Sequence, residues 1–118
     1  AAALVAAVTD ASSPVLVRAE AAYSLGKIRP TPPSVVDFLL DTIGVTMPPP
    51  IVTSTLAALL QLDPPVNDQL AIWTRKAAAL DSVCREVDRL SSDQEATHSP
   101  RARKYLEALI ARWQATSS

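Results

Sequence analysis

The sequence predicts an all-helical chain, about six short helices stacked as antiparallel pairs. Three observations lead there. Apolar residues make up 48% of the 118-residue chain, yet only Trp (2), Tyr (2) and Phe (1) are aromatic, so the core is aliphatic and rich in alanine, the strongest helix former. The 10 prolines fall in clusters at Pro14, at Pro30 with Pro32 and Pro33, at Pro48 to Pro50, at Pro64 with Pro65, and at Pro100. Proline is tolerated in a first helical turn and breaks a helix interior, so each cluster separates two helices. Each segment between clusters also carries its apolar residues at helical spacing, and none alternates as a strand would.

The first segment, 1–10, offers Leu4, Val5 and Val8 as an apolar face. In the second, 14–28, Val17, Ala21, Leu25 and Ile28 follow at steps of four, four and three and share a face, with Arg18 and Glu20 pointing elsewhere. Ala21 and Ala22 are small enough to let a neighbouring helix come close, and Gly26 is placed to end the helix. The third, 34–45, has Val36, Leu39, Leu40 and Ile43 on one side and Asp37 and Asp41 on the other. Val52, Leu56, Leu59 and Leu60 form the stripe of the fourth, 51–62.

The fifth segment, 67–91, holds neither proline nor glycine. Its residues Leu70, Trp73, Ala77, Leu80, Cys84 and Val87 repeat at alternating steps of three and four, a heptad seam. Asn67 or Asp68 caps its start, and its length predicts one rod of roughly 37 Å at 1.5 Å per residue. The sixth, 100–115, buries Leu106, Leu109, Ile110 and Trp113 and turns Arg103 and Glu107 outward. It is expected to fold back along the rod; the alternative is a seam that pairs with another chain as a coiled coil.

Pro14-Val15-Leu16 and Pro50-Ile51-Val52 lie 36 residues apart, and the same offset carries Ala21-Ala22 onto Ala57-Ala58. A period in the mid-thirties with a helix pair per unit signals an α-solenoid. An ordinary, non-repeating bundle is the competing arrangement.

The run PVLVRAEAAYSLGKI resembles the first helix of a HEAT repeat, in particular the bacterial type related to the phycobilin lyases, and AAALVAAVTD resembles the end of the helix before it, with Asp10 in the turn. The likeness covers residues 1–44; in the second unit Thr53-Ser54 stands where Val-Arg is expected. It implies a right-handed stack in which the second helix of each pair lines the concave side. Ser34, Asp37 and Asp41 would then lie beside Ile72, Arg75, Lys76 and Ala79 as a binding surface. Iron-dependent hydroxylases built from such repeats hold metal through His-Glu pairs, which this sequence does not contain.

Composition narrows the function. A net charge of −1 is far from the basic excess of a chain built to neutralise phosphates. Residues 1–70 carry three basic and six acidic side chains, a balance of −3, and residues 71–118 eight and six, +2, so a nucleic-acid binder using the basic C-terminal half is the alternative function. Acidic residues interleave there at spacings that favour ion pairs within helices. His98, in a polar loop beside a proline, is the one histidine and Cys84, a packed thiol on the seam, the one cysteine, so Cys/His zinc spacing and an internal disulfide are both missing from the sequence. With glycine only at 26 and 44, a phosphate loop cannot be drawn.

The expectation is therefore a non-catalytic, cofactor-free scaffold or protein-interaction module, intracellular and cytoplasmic, without a membrane span and built as part of something longer. Leaving Leu4, Val5 and Val8 in water costs roughly 1.5–3 kcal/mol each. Upstream repeats of the same protein, or a partner protein, are expected to cover them.

Overall fold

In the computed structural model, which describes residues 2–45, 48–62, 69–92 and 102–117, seven helices are present among the described residues and there are no strands. They are α1 (Ala2–Thr9), α2 (Val15–Leu25), α3 (Pro33–Gly44), α4 (Pro49–Gln61), α5 (Gln69–Ala78), α6 (Asp81–Ser92) and α7 (Ala102–Ser117). The prolines act as the sequence suggests: Pro33 opens α3 and Pro49 opens α4, where a missing N–H costs no helical hydrogen bond. Pro14, Pro32 and Pro48 hold extended backbone just before α2, α3 and α4.

α4 is the centre of the molecule, packed against α2, α3, α6 and α7. The closest contact is α2 on α4, and it depends on glycine. A Cβ at Gly26 would lie 2.5 Å from the Ala58 carbonyl oxygen and 2.6 Å from its Cα. Gly26 is where α2 ends, as its position suggested, and with ordinary right-handed helical angles, φ −70 and ψ −10, what it supplies there is close approach. Arg29 ties the two helices at their C-terminal ends, donating to the carbonyls of Gly26 at 2.7 Å and of Gln61, whose own amide donates to Tyr23 at 3.2 Å.

Two side chains of α2 depart from the expected stripe. Val17 is 50% exposed, whereas Arg18 is buried and its Nε donates to the Val8 carbonyl at 2.9 Å. The buried line is Arg18, Ala19, Ala21, Ala22 and Leu25. Arg18 thus satisfies a carbonyl in the last turn of α1, which no later residue of that short helix can reach.

The expected long rod is two helices. Ala79 and Leu80 form a turn in which the Leu80 N–H bonds the Ala77 carbonyl at 3.0 Å, one residue tighter than an α-helix allows. A straight rod of roughly 37 Å would have run nearly the full 39 Å length of the molecule. The bend instead lets α5 lie on α3 and α6 on α4, while α7 packs along both. Tertiary packing outweighs the helix preference of the alanine run. The seam is continuous across the break: Leu70, Trp73, Ala77, Leu80, Cys84 and Val87 are all buried within this chain.

α7 begins against the side chain of Asp88, which accepts from the backbone N–H groups of Ala102 at 2.6 Å and Arg103 at 3.2 Å. Near its other end Trp113 meets Trp73, ring centroids 6.4 Å apart and tilted by 46°. Fold-back of the last helix onto the seam is what the structure contains.

Candidate interaction surface

The residues singled out from the sequence fall in two places. On α1, Val8 is wholly buried by the chain's own core and needs no outside cover, while Leu4 and Val5 pack on the core with part of their surface left open. Beside them Val5, Ala2, Ala6, Ser34, Val35 and Phe38 line an open apolar groove of about 440 Å³ between α1 and α3.

On the α3–α5 side the structure brings Asp37 together with Lys76. The indole N–H of Trp73 donates to Asp37 Oδ1 at 2.8 Å, and Lys76 Nζ lies 3.7 Å from the same oxygen. Asp37 therefore anchors a core tryptophan as well as facing solvent. Asp41, Ile72 and Arg75 are exposed, Ile72 at 43%. A second groove, about 290 Å³, opens between α3, α4 and α6 and is lined by Val45, Val52, Val83, Val87 and Leu90 with Glu86 at its edge.

The most exposed of the large apolar side chains among the described residues, Leu16, lies elsewhere. Val15, Leu16 and Val17 stand 36%, 76% and 50% exposed at the start of α2, and Tyr23 follows two turns later with Lys27 Nζ 4.9 Å over its ring. The sequence did contain the signal. Three consecutive apolar residues subtend about 200° of a helix, so they cannot all face one core, and at least one must point outward.

The basic residues of the C-terminal half are mostly engaged. Arg85 pairs with Asp81 at 2.7 Å, Arg89 with Glu86, and Arg103 with Asp81 at 3.0 Å and with Glu107 at 3.7 Å. Hydrogen bonds from Arg85 and Arg103 hold the Asp81 carboxyl below its ordinary range, and Arg89 does the same for Glu86. Asp10 is lowered by the hydroxyls of Ser12, at 2.6 Å, and Ser13, at 2.9 Å.

Burial, reinforced by Asp88 and Asp81, pushes the Cys84 thiol up to about 12, so it stays protonated at neutral pH and is a poor nucleophile. Among the described residues there is no group of three or more His, Cys, Asp or Glu able to hold a metal ion, and no helix long and apolar enough to cross a membrane. His98, Asn67 and Asp68 lie outside the described residues.

Fold and surface together define an all-helical protein with an apolar face turned outward on α2. Comparison with family models, with curated proteins and with solved structures finds no match to this chain.

Proposed function

We propose that the chain is a non-catalytic scaffold or protein-interaction module, an α-solenoid built from HEAT-like helix pairs, that acts inside the cell by presenting an apolar helix face to a partner. One observation carries this reading: Leu16 is 76% exposed between Val15 and Val17, in a chain whose other leucines are, Leu90 apart, buried or half-buried where described. An exposed apolar cluster weakens solubility without helping the fold, and such clusters mark binding surfaces. The stacking of α2 on α4 with their C-terminal ends bridged by Arg29 supports the solenoid arrangement, as does the 36-residue offset that relates Asp37 to its partner Trp73.

The competing reading, a nucleic-acid binder, has less support because Arg85, Arg89 and Arg103 already face carboxylates. Affinity capture with the wild-type chain and with Leu16→Asp in parallel tests the proposal. A protein retained by the first and lost by the second supports it; identical captured sets, or a salt-dependent shift of duplex DNA by both chains alike, refute it.

A further inference from the structure

We infer that the partner of the α2 face is the same face of a second copy of this chain, the two helices lying antiparallel about a two-fold axis near Tyr23. This rests on the interaction-module reading and names its partner.

Leu16, Glu20, Tyr23 and Lys27 follow at steps of four, three and four, in one line along α2 and the turn that closes it, and all four are exposed. The backbone keeps helical angles through Gly26, and Lys27 Nζ lies over the Tyr23 ring, which places it on this line. The other sides of α2 are taken up by the fold: Arg18 reaches α1, and Gly26 meets α4 at Ala58. Val15 and Val17, both exposed, flank the line at its Leu16 end. The face is therefore apolar at its start and carries both signs of charge further on.

The order of those charges selects the partner. Glu20 makes no ion pair with any described residue, and its neighbours one turn away, Leu16, Val17, Tyr23 and Ser24, are all uncharged. Lys27 rests on an aromatic ring and on no described carboxylate. Glu20 and Lys27 stand three and four residues to either side of Tyr23. Reversing the helix about that point exchanges the two positions, so an antiparallel copy brings Lys27 opposite Glu20 and Glu20 opposite Lys27. A parallel copy would set Glu20 against Glu20, and a partner surface of one sign would repel one of the two charges. Tyr23 meets its counterpart at the axis. Leu16 covers each end of the contact, over the turn after α2 in the other copy, where Ile28 is half-buried and Pro30 exposed. A contact between identical faces closes at two copies. One helix face on another buries less than about 1,200 Å², which puts pairing at roughly 10–100 µM.

Sedimentation of the full chain from about 1 to 500 µM tests this. The weight-average mass should rise with concentration and level off at about twice the monomer mass. Glu20→Lys and Lys27→Glu, both at exposed sites, should keep the helical circular dichroism of wild type. Each should pair roughly tenfold more weakly, because the two-fold axis turns one substitution into two like-charge contacts. Mixed in equal amounts, the two variants should pair at least as well as wild type, since every charge contact between them then joins unlike signs. The chain carrying both substitutions should recover pairing as well. A wild-type chain that is monomeric throughout, a mass that grows past the dimer, or a mixture as weak as either variant alone would overturn the inference. Should a monomeric wild type still capture a different protein in a Leu16-dependent way, the interaction-module reading survives and self-pairing alone is lost.

Discussion

The α2–α4 contact and the α5–α7 contact bury helices by opposite means. On the first, the residues are small, and Gly26 lets α2 close onto the backbone of Ala58. On the second, the residues are large: Trp73 and Trp113 meet between the helices. Close approach gains dispersion contacts along the backbone and fixes the crossing geometry, but it tolerates no added atom. A tryptophan interface fills volume with few side chains, and each indole then needs a partner for its N–H. Trp73 has one in Asp37, whereas the buried Trp113 Nε1 has none among the described residues.

The largest effect expected from breaking this contrast is on the C-terminal side. Trp73→Ala should cost about 3–5 kcal/mol in urea unfolding, through the lost volume and the stranded Asp37 carboxylate. Gly26→Ala should cost about 1–3 kcal/mol. Its sign is informative, because the Gly26 backbone angles suit alanine and substitution would otherwise stabilise by about 0.4–1 kcal/mol. A stabilised Gly26→Ala variant would mean that α2 and α4 are not in backbone contact. The two tryptophans sharpen the comparison further: Trp73→Phe forfeits a hydrogen bond, Trp113→Phe removes only an unpaired donor, and the first should be more destabilising by about 1 kcal/mol.

How much of this was legible beforehand follows from which interactions are local. Prolines mark helix starts through covalent geometry alone, so α2, α3 and α4 begin within two residues of the sequence expectation. The pairs Asp81–Arg85, Glu86–Arg89 and Arg103–Glu107 are set by helical spacing and were equally readable. The bend at Ala79-Leu80 was not, because nothing in AAAL breaks a helix; it arises from what α5 and α6 pack against. Arg18 reads as a surface residue until α1 is placed, since only then is there a carbonyl for it to satisfy. Val17 was assigned inward by a regular spacing that Ala22 and Arg18 fit better once α1 and α4 flank the helix. Of the surface residues, Asp37 was expected beside Lys76 and lies there, whereas the α2 cluster was passed over although its run of three apolar residues signals an outward face.

The smallest expected effect concerns acid. Asp10, Asp81 and Glu86 have folded pKa values below their ordinary ones, so the unfolded chain binds protons more readily than the folded one. The stability they contribute is complete above the ordinary carboxylate range and is lost as pH falls below about 4. The two regions differ in cause, hydroxyl hydrogen bonds at Asp10 and arginine partners at Asp81. Added salt should therefore blunt the acid sensitivity removed by Asp81→Asn more than that removed by Asp10→Asn, as followed by thermal unfolding at pH 2 to 6.

The account turns on the outward face of α2 being surface that the fold itself does not use. Thermal unfolding of Leu16→Asp against wild type tests this most directly. The midpoint should lie within about 2 °C of wild type, as for an exposed substitution. A fall of about 8 °C or more, the size expected when a packed side chain is replaced, would show that Leu16 belongs to the core and would contradict the assignment of this face to binding.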